Sequence, residues 1–208
     1  MKKLRILCYG DSNTWGTIPD GTFKHCKLNK RYTYYLEKKL GKNTQVINEG
    51  MPSRTTNLDD YKEYKGNRNG SNFFITALIT HEPLDYVVVF LGTNDLKNKF
   101  NRSVEEIILA IKTNYIDVIK KYSLLGLSKE PKIILITPPV IDDSVSEEYK
   151  GETIKSLKFE NAFKILAREN NCDVISNKIL RVGKDGIHLT NASHIRLAEA
   201  LEKVIRKE

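Results

Sequence analysis

Cysteine is scarce in this 208-residue chain and poorly placed for pairing. Cys8, Cys26 and Cys172 make an odd count, and none stands in a C-x-x-C spacing. That argues against a disulfide framework and for a reducing compartment. Long hydrophobic runs are missing too. No segment approaches the roughly 20 apolar residues of a membrane span. The opening "MKKLRILCYGDS" offers only about five apolar positions ahead of Gly10, too few for a secretory leader. A cytoplasmic protein that makes no contact with a membrane is expected. His25, beside Cys26, and His81 and His194 show no metal-ligand spacing, so no metal is expected and all three read as structural or exposed. Internal repeats, low-complexity tracts and domain linkers are absent, and residues 1–208 read as one domain.

A compact basic run is also lacking, although the formal net charge is +8. The lysines are spread along the chain, as in "KKYSLLGLSK" and "LEKVIRKE", without interleaved aromatics. Such a pattern describes a solvated cationic surface, and no nucleic-acid partner is expected. With 40% hydrophobic and 29% charged residues, the chain has the composition of a globular protein able to bury a sizeable core.

What is present is a regular alternation of apolar runs and helical periods. Strands are predicted at Leu4–Tyr9, 44–50 ("TQVINEG"), 85–92 ("DYVVVFLG"), 132–137 ("KIILIT") and 172–176 ("CDVIS"). The third is β-branched and apolar on both faces, as suits a parallel strand covered on both sides. Between them, helical spacing links Tyr32, Tyr35, Leu36 and Leu40, with Gly41 as a stop, and then Phe74, Ala77 and Leu78 after a polar, Gly-containing loop ("YKEYKGNRNG"). Ser103 and Glu106 form a capping-box signature ahead of Val104, Ile107, Ile108, Ile111, Tyr115 and Val118. Phe159, Ala162, Phe163 and Leu166 mark another helix, and a last one begins near Asn191. The pattern predicts an α/β fold, a three-layer α/β/α sandwich around a five-stranded parallel sheet.

In such folds ligands bind beyond the carboxyl ends of the strands. Polar residues with chemical potential follow those ends: "GDSNT" after the first strand, "NEGMPSRTT" after the second, "GTND" after the third and "DGIHLT" before the last helix. Each has an ordinary structural explanation when taken singly. Asp11, Ser12 and Asn13 are good caps and turn formers, Asp95 is a natural cap for the next helix, and a lone His188 is more often structural. Together they meet the needs of acyl transfer. A serine hydroxyl needs a base, a base needs an orienting carboxylate, and an oxyanion needs donors. Ser12, His188, Asp185 and Asn94 supply those groups.

Nearly the whole chain resembles the SGNH hydrolases, or GDSL esterase/lipase family, whose fold is flavodoxin-like. "GDSNTWG" is similar to the family's first block, "GTND" to its third and "DGIHLT" to its fifth. "EGMPSRTTNLDD", "THEPLDYVVVFLGTNDLKNKF" and Trp15–Gly16 echo the arylesterase/acyltransferase branch. The resemblance implies Ser12 as nucleophile, Asp185 and His188 completing a triad, and an oxyanion hole from the N–H of Ser12, the amide of Asn94 and a second-block N–H. That last donor aligns on Ser53, with Gly50 as the alternative. Asp11, Trp15 and Lys97 are candidates for the substrate pocket, with Phe100 at its mouth, and Arg54 for bracing the second-block loop or meeting a partner subunit. The acidic segment 141–152 is open between a substrate entrance and an oligomer contact. A serine esterase acting on short-chain carboxylic esters is implied, with transfer to alcohols, no cofactor, and a homo-oligomer as large as an octamer. A carbohydrate acetylesterase is the alternative within the same chemistry. A non-catalytic anion- or nucleotide-binding module is the alternative outside it, in which the "GDSNT" turn holds phosphate, although the longer glycine-rich phosphate-loop pattern is absent.

Overall fold

The computed structural model describes residues 3–61, 66–124 and 130–207; positions 62–65 of the polar loop and 125–129 of the "KKYSLLGLSK" stretch lie outside the described residues. Five parallel strands, β1 (Leu4–Gly10), β2 (Thr44–Gly50), β3 (Tyr86–Phe90), β4 (Lys132–Ile136) and β5 (Asp173–Ile175), form one sheet in the order β2-β1-β3-β4-β5. This is the predicted α/β/α architecture with the flavodoxin-like strand order.

Strand alternation feeds two cores. Ile6 and Cys8 of β1 point to one face, where they meet Tyr32 and Leu36 of α2 (Tyr32–Leu40) and Leu197 and Leu201 of α7 (Asn191–Arg206). Leu7 and Tyr9 point to the other, toward α3 (Ser71–His81), α4 (Val104–Ile111) and α6 (Thr153–Asn170). All five residues of β3 are buried, as a central strand covered on both faces requires. Burial of such side chains contributes roughly 1.5–3 kcal/mol each. The remaining helices are α1 (Ser12–Trp15), a single turn, and α5 (Asp117–Leu124).

The capping box at Ser103 is formed in both directions, with the hydroxyl accepting from the N–H of Glu106 (3.1 Å) and the Glu106 carboxylate accepting from the N–H of Ser103 (2.8 Å). The helix it opens differs from the sequence expectation, because a π-helical turn at Lys112–Ile116 separates α4 from α5. The apolar spacing survives the extra residue. Ile111, Tyr115 and Ile116 are all fully buried, and the Tyr115 hydroxyl donates to the carbonyl of Thr56 (2.5 Å). Among the described residues no helix is long and apolar enough to cross a membrane.

β1 lies between β2 and β3, so the chain leaves it toward one side first and returns on the other. The crevice beyond β1 and β3 is the switch point where ligands bind in such sheets. His194 on α7 anchors the layer beneath it. Its Nδ1 accepts from the N–H of Tyr32 (3.3 Å), and its ring stacks on that of Tyr32 (centroids 6.2 Å apart). Burial, with the charges of Arg31 and His188, pushes the His194 pKa down to about 4. An unfolded histidine titrates near 6.5, so the stability from the neutral ring is present above that pH. It is lost as the pH falls toward 4, to the extent of about 3 kcal/mol. His194→Asn keeps an acceptor near Nδ1 but removes the titration. Melting temperatures between pH 7 and 4 should therefore fall less steeply for this variant than for the wild type; parallel slopes would refute the assignment.

Candidate active site

The stretch after β1 turns sharply because Gly10 permits it. A Cβ there would lie 2.1 Å from Thr14 Oγ1 and 2.9 Å from the carbonyl of Phe90. The strand thus runs straight into α1, with Asp11 as N-cap accepting from the N–H of Asn13 (2.9 Å). Asn48 of β2 braces the turn by donating to the carbonyl of Thr14 (2.7 Å). Ser12 is left at the crevice, in the lining of its cavity.

His188 arrives from the other end of the chain. Its Nε2 lies 2.9 Å from Ser12 Oγ, and its Nδ1 lies 2.7 Å from Asp185 Oδ2. Asp185 Oδ1 also accepts from the N–H groups of Ile187 (3.0 Å) and His188 (2.9 Å), making the loop a self-holding turn. Burial alone would raise the Asp185 pKa, but the bonds from His188 and Ile187 outweigh it and hold the carboxyl below its ordinary value. An ionised Asp185 keeps Nδ1 protonated and leaves Nε2 to accept from the serine. Gly186 sits at φ +73°, and a Cβ there would fall 2.1 Å from the carbonyl of Asp142, so the 141–152 segment packs directly on this loop.

Asn13 ties the two ends together. Its Oδ1 accepts from the N–H of Leu189 (2.9 Å), and its Nδ2 faces the carbonyl of Ile187 (3.5 Å). Sequence reasoning treated Asn13 as a turn former and missed this function. Its position directly after Ser12 was the only signal available.

The remaining donors lie on the β2 and β3 sides. Asn94 is buried, with Nδ2 donating to the carbonyl of Arg54 (3.2 Å) and facing Asp11 Oδ2 (3.5 Å). Ser53 adopts φ +65° and lines the same cavity. Gly50 does not compete for the donor role, because its N–H is occupied by Asn48 Oδ1 (3.0 Å). Arg54 braces the second loop, the first of the two roles open to it from the sequence. Its guanidinium donates to the carbonyls of Gly10 (2.8 Å) and Glu49 and stacks 4.0 Å from the centre of the Tyr9 ring.

Asp95 departs from the expected cap. It is fully buried and accepts from the N–H and hydroxyl of Thr56 and from Arg102 (3.2 Å), locking the second and third loops together. Burial raises its pKa, an effect opposed by those same donors. Asp11 is also fully buried, and burial pushes it up to about 6 against the N–H of Asn13 and the charges of His188 and Arg54.

Ser12, His188, Asn94 and Ser53 share one cavity of about 340 Å³, completed by Thr17, Phe23, Pro52, Lys97, Ile187 and residues 145–149. Lys97 is buried there and pairs with Glu148 (3.1 Å). Trp15 is not among the lining residues; its indole packs edge-on to His25 (centroids 4.0 Å apart). Phe100 also lies outside the lining. Phe23 and Tyr149, which do line it, were missed: Phe23 lies in an irregular loop and Tyr149 in the acidic segment, where no periodicity marks an inward residue.

The profile of the GDSL-like lipase/acylhydrolase family matches residues 8–195. Among solved structures, a carbohydrate acetylesterase from Sinorhizobium meliloti is 31% identical, with 99% of each chain covered and a TM-score of 0.88. An aryl esterase from M. smegmatis in an inhibitor-bound form is 30% identical over 98% of this chain and 99% of that one, also with a TM-score of 0.88. A lipase/acylhydrolase from Enterococcus faecalis, at 21% identity and a TM-score of 0.69, shares the fold. No curated protein sequence matches the chain.

A non-glycine residue in the left-handed region carries a backbone cost of roughly 1–2 kcal/mol, offset for glycine by its larger unfolded-state entropy. Ser53→Gly should therefore leave the melting temperature within about 3 °C of wild type. Ser53→Val, with a β-branched side chain at φ +65°, should lower it clearly more. Equal melting temperatures for the two variants would show that the turn relaxes freely.

Proposed function

The chain belongs to the GDSL-like lipase/acylhydrolase family, and we propose from its site that it is a serine esterase acting on short-chain carboxylic esters. The observation that carries this reading is the continuous line Ser12 Oγ–His188 Nε2 (2.9 Å) and His188 Nδ1–Asp185 Oδ2 (2.7 Å) opening into the cavity. Ser12 Oγ attacks the ester carbonyl as its proton passes to Nε2. The tetrahedral oxyanion is met by the N–H groups of Ser12 and Ser53 and by Asn94 Nδ2. Collapse breaks the bond to the alcohol oxygen, which takes the proton from His188. Water, or a second alcohol, then resolves the acyl-enzyme with His188 as base. The catalytic roles need no cofactor. Asp11 acts from beneath, holding the turn through Asn13, and Lys97 lines the mouth.

The cavity volume favours small acyl groups, and Phe23, Pro52 and Ile187 give it an apolar wall. Aryl and alkyl esters are one substrate class. The 31% identity to a carbohydrate acetylesterase over nearly the whole chain supports acetylated sugars as the second reading. The anion-binding alternative fares worse, because the N-terminus of α1 is already occupied by the Asp11 carboxylate and a phosphate there would meet a like charge. We also propose a homo-oligomer. Phe73, Ile75 and Ile79 on α3 and Ile154 and Leu157 on α6 are exposed apolar side chains that association would cover.

Turnover of p-nitrophenyl acetate should fall by at least about 10³-fold in Ser12→Ala and His188→Ala. Asn94→Ala should lose about 10²–10³-fold in kcat. Intact-mass analysis should find an acetyl group on Ser12 of the wild type. Equal rates in all four proteins would end the esterase reading, and a preference for acetylated xylosides over aryl acetates would select the second substrate class. Light scattering on the purified protein should give a mass several times that of one chain; a monomer would remove the oligomer.

A further inference from the structure

The acidic segment 141–152 was ambiguous in sequence between a substrate entrance and an oligomer contact. Its one fully inward aromatic is Tyr149, which is 2% exposed. The Tyr149 hydroxyl lies 3.3 Å from Asn94 Oδ1. On its other side, the Asn94 amide nitrogen faces the carbonyl of Arg54 (3.2 Å) and the carboxylate of Asp11 (3.5 Å). These partners define the amide's orientation. With Nδ2 toward Arg54 and Asp11, every contact pairs a donor with an acceptor. Turned by half a rotation, the amide would set Oδ1 against a carbonyl and a carboxylate, and the phenol would lose the acceptor it now donates to. Burial keeps the phenol protonated, well above its ordinary pKa, so it remains a donor.

We propose, resting on the esterase reading above, that Tyr149 is a positioning residue that holds the Asn94 amide with Nδ2 on the Arg54 and Asp11 side, where the hydrogen in the long contact to Asp11 (3.5 Å) is the one that turns to the oxyanion. The segment carrying it is firmly placed. The N–H of Asp142 donates to the carbonyl of Gly186 (2.8 Å) on the His188 loop, and Ile141 N–H donates to Ser156 Oγ (3.2 Å). Lys97 bonds Glu148 (3.1 Å), and Asn98 Nδ2 donates to the carbonyl of Glu147 (3.2 Å). The segment therefore reaches Asn94 through the Tyr149 hydroxyl and links the loops after β3 and β5. Removing that hydroxyl leaves Oδ1 buried without its donor and the amide held from the Arg54 and Asp11 side only, and the loss falls on the step in which charge develops on the substrate oxygen.

The test is a double-mutant cycle of Tyr149→Phe and Asn94→Ala on p-nitrophenyl acetate. Rates are normalised to active sites counted by the final stoichiometry of Ser12 labelling with a p-nitrophenyl phosphonate. The count keeps a partly misfolded variant from passing as a slow one. Tyr149→Phe alone should lower kcat about 5–10-fold with KM within about twofold, the size expected of one buried hydrogen bond. In the Asn94→Ala background the same change should cost less than about twofold, because the group it orients is gone. An unchanged kcat, an equal loss in both backgrounds, or a rise in KM alone would each overturn the proposal. Ser12→Ala separates this result from the parent reading: turnover that survives it defeats the esterase, whereas Ser12-dependent turnover indifferent to Tyr149→Phe defeats only the positioning role.

Discussion

The bond from Leu189 N–H to Asn13 Oδ1 is the constraint on which the site depends. It joins a turn at the start of the chain to a loop near its end, and the hydroxyl and imidazole separated by 176 positions lie 2.9 Å apart beside it. Neither partner could hold that geometry alone. The His188 loop is organised internally around Asp185, but nothing in it specifies where the imidazole stands relative to β1. Asn13 supplies that reference and is itself fixed by the N-cap at Asp11. An error of an ångström here would be costly, because proton transfer and attack both require the reacting atoms in near contact.

Around this tie the structure buries an unusual amount of polar chemistry. Asp11, Asp95, Arg54 and Asn94 are nearly inaccessible, and each has named partners: Asp11 the N–H of Asn13, Asp95 Thr56 and Arg102, Arg54 two carbonyls and the Tyr9 ring, with its Nε left unpaired, and Asn94 Arg54 and Tyr149. Buried polar groups of this kind are costly unless paired, and a satisfied network is correspondingly rigid. Rigidity is what the proposed oxyanion site would require, since donors held in place need not reorganise as charge develops. The loops after β2 and β3 thus form one framework, with the loop after β4 closing it from above.

Much of the architecture was legible because each rule acts locally. The β-branched run at 85–92 predicts a central strand, and Tyr86–Phe90 is one, buried on both faces. Ser103 and Glu106 predict a helix start that forms as a full capping box. The π-helical turn at Lys112–Ile116 was not legible, since one extra residue in the hydrogen-bond ladder leaves a spacing that still reads as helical. Asp95 misleads for a related reason. An aspartate after a strand suits a cap equally well, and only the approach of Thr56 and Arg102 makes it a buried clamp.

The sequence by itself determined the layer order of the fold and the residues placed at the carboxyl ends of the strands. Periodicity and turn chemistry are properties of neighbouring residues, and a parallel sheet converts them into positions without further information. It also determined that Ser12, Asn94, Asp185 and His188 would stand at one edge. The tertiary structure alone decided that the N–H of Gly50 is engaged by Asn48, while Ser53 stands at φ +65° in the cavity lining. It alone decided that Trp15 packs on His25 while Phe23 and Tyr149 reach the cavity instead. Those outcomes depend on which groups approach from distant segments, and a buried group's hydrogen-bond partner is chosen by that approach rather than by its neighbours in the chain.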